Sequence, residues 1–78
     1  MNTSTYKSDS IEQISVTVEG FDSRALLTRL VGQRTWAVRG AYADDFSVVM
    51  HDGEKTRFIK STALRLAEQF IRTGREFL

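Results

Sequence analysis

The chain has 78 residues, 41% of them hydrophobic and 27% charged, with a formal net charge of +1 and no cysteine. A chain of this length forms one small domain, burying only about 60% of the surface that its unfolded form exposes. The composition excludes a disordered chain, the missing cysteines exclude a disulfide framework or a thiolate metal site, and the near-neutral charge excludes a strongly polycationic binding strategy. No apolar run approaches the roughly 20 residues that span a bilayer, and residues 1–10 lack the apolar segment of a signal peptide. A cytoplasmic protein without a membrane partner is therefore expected.

Residues 1–10, MNTSTYKSDS, are polar and lack periodicity, and are read as a flexible tail. Residues 11–78 then form a single α+β domain. In IEQISVTVEG the residues Ile14, Val16 and Val18 alternate with polar ones, which is the pattern of a half-buried strand. In FDSRALLTRLVG, Asp22 or Ser23 can cap a helix, Ala25, Leu26, Leu27, Leu30 and Val31 form an apolar stripe, and Gly32 suits its end. A helix over 22–31 is preferred, because Ala25, Leu26 and Leu27 run together without alternation. The alternative is one more strand and a single helix.

Residues 34–60 read as a three-stranded antiparallel meander. Its strands are RTWAVRGAY, DFSVVMH and KTRFI, with Trp36, Val38, Phe46, Val48, Met50 and Phe58 on one apolar face. STALRLAEQFIRTG is the clearest helix, capped by Ser61 or Thr62 and ended by Gly74. Ala63, Leu66, Ala67, Phe70 and Ile71 form its stripe, Leu64 flanks it, and Arg72 lies in the last turn. The expected architecture is a small two-layer domain: an antiparallel sheet in the order strand, helix, three-strand meander, helix, packed against the amphipathic C-terminal helix.

The only histidine, His51, stands beside Asp52, Gly53 and Glu54. Asp-Gly between two alternating runs is a hairpin signal, and one histidine with flexible carboxylates is too few converging ligands for a metal. The cluster is read as a turn. No phosphate-cradling glycine motif and no nucleophile motif are present, so no enzyme, cofactor or metal is expected. Trp36 is expected to pack against the C-terminal helix.

The remaining candidates are surfaces. Arg39, Tyr42, Asp44 and Asp45 fall close together around one loop, and Tyr and Arg are enriched at binding hot spots, so this group is the expected protein-binding site. From Lys55 onward there are six basic and two acidic residues. Lys55, Arg57, Lys60, Arg65 and Arg72, with the helix start at Ser61 and Thr62, form the alternative, a nucleic-acid-binding edge. From residue 22 the order helix, three strands, helix resembles the double-stranded-RNA-binding domain, with KSTALRLA where that family carries a basic cluster. The family's tandem lysines are missing and an extra strand precedes the first helix, so the likeness is one of element order.

A non-enzymatic binding module with a protein target is the leading expectation. By base rate rather than by motif, that suggests a phage or mobile-element inhibitor that sterically blocks a host machine, as anti-CRISPR proteins do. An unprotected N-terminal edge strand would also permit a homodimer.

Overall fold

The computed structural model describes residues 1–42, 48–50 and 56–75. Five strands come first: β1 (Asn2–Lys7), β2 (Ile11–Thr17), β3 (Arg24–Leu30), β4 (Ala37–Ala41) and β5 (Val48–Met50). One helix, α1 (Lys60–Thr73), follows. The strands form one antiparallel sheet in chain order, β1-β2-β3-β4-β5, each beside the next. This is a small α+β fold.

Alternation in β2 and β3 sets the two faces. Ile14 lies opposite Leu27 and Val16 opposite Ala25, while Leu27 in turn faces Val38 across the β3–β4 ladder. All five are buried, and they meet the helix stripe Ala63, Ala67, Phe70 and Ile71 in one core with Trp36. The helix stripe is as expected, and Leu64 packs beside it. Gly74 closes the helix at φ 68°, a conformation that favours glycine, and its N–H donates to the Phe70 carbonyl at 2.8 Å. Trp36 is 1% exposed beneath the helix, as expected.

Three expected elements are corrected. Residues 22–31 contain strand β3 and not a helix. The unbroken Ala25-Leu26-Leu27 run arises because both faces of this interior strand carry apolar residues: Ala25 and Leu27 are buried under α1, while Leu26 is half-buried on the opposite face. Gly32 accordingly serves a turn. At φ 98° it allows the Gln33 N–H to reach the Leu30 carbonyl at 3.0 Å and turn the chain from β3 into β4. With no first helix, the order of elements that resembled the double-stranded-RNA-binding domain is gone.

Asn2–Lys7, read as part of a tail, form strand β1. Every one of its residues is exposed, so it lacks an apolar signature and is held to β2 by main-chain pairing.

The meander also changes. Phe58 makes an isolated antiparallel bridge to Trp36, giving and receiving main-chain hydrogen bonds of 3.0 and 2.7 Å. β5 is antiparallel to the same strand, so the chain runs in one direction at β5 and at Phe58, whereas the arms of a hairpin oppose each other. The Asp52-Gly53 turn itself lies outside the described residues. β5 is also in a register that sets Val49 opposite Gly40, and Val48 and Met50 opposite Ala41 and Arg39. Phe46 and the side chains of Val48 and Met50 lie outside the described residues. Because Phe58 is fixed in extended geometry, the helix starts immediately after it. Ile59 is the N-cap without a side-chain capping bond, and Ser61 and Thr62 fall inside the first turn.

Candidate docking face of the sheet

The helix covers one face of the sheet. On the other, the strands place Ser4, Ser15, Leu26 and Arg39 in one cross-strand row and Arg24 beside Ala41 in the next. Tyr6, Gln13, Thr28 and Ala37 form a row on the other side, followed by Ile11 and Leu30. A shallow groove of about 330 Å³ lies on this face, with Leu26, Ala41 and Ser15 on its floor and Arg24 and Arg39 at its sides. Tyr6 and Leu30 stand 63% and 55% exposed towards the far end. Among the described strand positions on this face the charged residues are Arg24 and Arg39, both cations. The face combines apolar floor area with positive charge at the rim.

Of the expected protein-binding group the structure describes Arg39 and Tyr42, which lie on opposite sides of the sheet. Arg39 lies in β4 on the open face, half-buried beside Leu26. Tyr42 is on the helix side. Its ring lies 5.0 Å from that of Phe70 and tilted by 54°, partly buried against the core, so it is a packing residue and not an exposed contact. Asp44 and Asp45 lie outside the described residues. Arg24 completes the groove, and a helix over 22–31 would not set it in line with Leu26. As a strand, the same residues put Arg24, Leu26, Thr28 and Leu30 on one face.

The described members of the expected nucleic-acid edge are Arg57, Lys60, Arg65 and Arg72. Lys55 lies outside the described residues, as do His51, Asp52 and Glu54. Arg57 is bound into the fold: its Nη2 donates to the Gln33 Oε1 at 2.8 Å and the Thr35 carbonyl at 2.9 Å, and its Nε to the Thr35 Oγ1 at 3.3 Å. Arg72 pairs with Glu68 at 3.0 Å, one turn before it on the helix. Lys60 and Arg65 are exposed, but five residues apart on a helix they point well away from each other. Among the described residues no three potential metal ligands of the His, Cys, Asp or Glu type come together, and no helix is long and apolar enough to cross a membrane.

Arg29 also serves the fold. Its Nε and Nη2 donate to the Glu12 Oε1 at 2.9 and 2.6 Å, and its Nη1 to the Gln33 carbonyl at 2.7 Å. Its guanidinium carbon lies 4.4 Å from the centre of the Trp36 ring, a cation–π contact. Arg29, Gln33 and Arg57 together lock the β3–β4 connection. Arg57→Ala is therefore expected to lower stability by about 1–2 kcal/mol, because it removes several hydrogen bonds from a charged donor. Urea unfolding checks the loss, and an unchanged midpoint would show that Arg57 is not part of this lock.

Fold and face together define a small α+β domain with a helix on one side of its sheet and an open, cation-rimmed groove on the other. Comparison with protein-family models, curated proteins and solved structures finds no match to this chain.

Proposed function

We propose that the protein is a non-enzymatic binding module that docks an acidic surface of a partner protein on the open face of its sheet. It acts sterically, by covering the surface it binds, as an inhibitor or adaptor does. The observation that carries this reading is the groove between Arg24 and Arg39. An apolar floor of Leu26 and Ala41 gives up water on contact, and the exposed cation Arg24 at the rim favours a carboxylate-bearing partner and steers its approach. On the helix side the apolar stripe is spent on the core, and the exposed cations of α1 are separated: Lys60 and Arg65 point away from each other, and Arg72 is paired with Glu68.

Affinity capture from nuclease-treated cell lysate, by the native chain and by Arg24→Glu, tests the proposal. A discrete protein should be retained by the native chain and lost from the variant. Equal retention by both would overturn the assignment of this face. Material that disappears with nuclease treatment would instead assign the cations to nucleic acid.

A further inference from the structure

We propose that β1 is a self-pairing edge that joins two copies of the chain into one continuous antiparallel sheet. β1 is the outermost strand, and all six of its residues are exposed. α1 packs over β2, β3 and β4, so the sheet projects beyond its helix layer and β1 is covered on neither face. The strand contributes no side chain to the core, yet it holds a continuous register with β2 from Asn2 to Lys7. Natural edges of this kind are usually protected by prolines, bulges or several charges. β1 has none of the first two, and its one charge, Lys7, lies at its end. Thr3, Thr5 and Tyr6 favour extended structure.

The direction of the free hydrogen-bonding groups identifies the partner. The Ser8 N–H donates to the Ile11 carbonyl at 2.8 Å, which makes Ser8 and Ile11 a hydrogen-bonded pair at the β1–β2 turn. Such pairs alternate along an antiparallel ladder. Tyr6, Ser4 and Asn2 therefore turn their main-chain groups towards β2, and Thr3, Thr5 and Lys7 turn theirs to the open edge. A two-fold axis through Thr5, normal to the sheet, brings Thr5 against Thr5 of a second copy and Thr3 against Lys7 of that copy. Every outward-facing group of β1 then finds a partner, each pair exchanging two hydrogen bonds. No like charges meet, because Lys7 faces threonine. The operation keeps both helices on one face and both grooves on the other, so the two open faces become one surface. The edge is thus self-complementary, which is what an isologous interface requires.

The test is sedimentation velocity over a range of concentrations for the native chain, Thr5→Lys and Thr5→Pro, with far-ultraviolet circular dichroism as the check on folding. Thr5→Lys sets two ammonium groups opposite each other on the axis. Thr5→Pro removes an N–H that points outward and so spares the β1–β2 ladder. A native species of twice the 8.9 kDa chain mass is expected, with the dimer dissociation constant raised at least about tenfold in both folded variants. A native chain that stays monomeric at all concentrations overturns the proposal. So does a dimer that both variants leave intact, since its interface would lie elsewhere.

Discussion

Replacing Trp36 with alanine is expected to remove a large share of the stability of the chain and to lower its urea midpoint sharply. Trp36 is 1% exposed and is among the largest fully buried side chains. It joins three parts of the structure at once. Its ring lies in the core with Ala63, Ala67 and Phe70 of the helix, the Arg29 guanidinium covers it at 4.4 Å, and its main chain holds Phe58 just ahead of the helix start. Truncating a buried tryptophan to alanine costs about 3–5 kcal/mol. A domain of 78 residues has a total stability of about 4–12 kcal/mol. The loss is a large share of the whole, and it also leaves Arg29 without the ring it covers. Trp36→Phe should cost less, because it retains an aromatic ring. As Trp36 is the only tryptophan, urea unfolding should be followed by circular dichroism rather than fluorescence. A Trp36→Ala midpoint close to that of the native chain would contradict the packing described.

Gly40→Ala is the second large effect, and it runs in the opposite steric sense. A β-carbon at position 40 would stand 2.4 Å from Cε1, 2.6 Å from Cζ and 2.7 Å from Cδ1 of Phe70. These distances are well inside van der Waals contact, and the ring cannot easily withdraw. Tyr42 packs against it at 5.0 Å, and its backbone belongs to a helix whose whole stripe is buried. Gly40 is thus the notch in β4 that lets the helix lie close to the sheet. Overpacking of this kind costs about 1–3 kcal/mol, occasionally more. In a chain already carrying Phe70→Leu, the cost of Gly40→Ala should shrink by about 1 kcal/mol, because the two residues share one space. Equal costs in the two backgrounds, measured by chemical unfolding, would show that the ring does not fill that notch.

The sequence is unevenly informative about this molecule. The C-terminal helix is legible almost to the residue, because Ala63, Leu66, Ala67, Phe70 and Ile71 recur at helical spacing and all are buried. Ile14 and Val16 likewise announce strand β2, and both are buried, as is Val18 just past its end. β3 is hidden because Leu26 floors a groove on the face that ordinarily carries polar residues, so an interior strand imitates a helical stripe. β1 is hidden for the converse reason: Thr, Ser and Tyr on two exposed faces leave no apolar alternation to read. The site follows the same logic. Arg39 can be singled out from its neighbours in sequence, but its partner across the groove, Arg24, becomes visible only when β3 is known to be a strand. Arg57 looks like a surface cation in sequence and proves to be a clamp on the β3–β4 connection.

The most direct test of the docking face is to titrate the captured partner with three chains: native, Arg24→Glu and Arg65→Glu. Arg24 borders the groove, whereas Arg65 is exposed on the helix side. Reversing Arg24 should weaken binding at least about tenfold, or about 1.4 kcal/mol, while reversing Arg65 leaves it unchanged. Binding that is indifferent to Arg24, or that is lost on reversing Arg65, would place the partner on the other side of the protein.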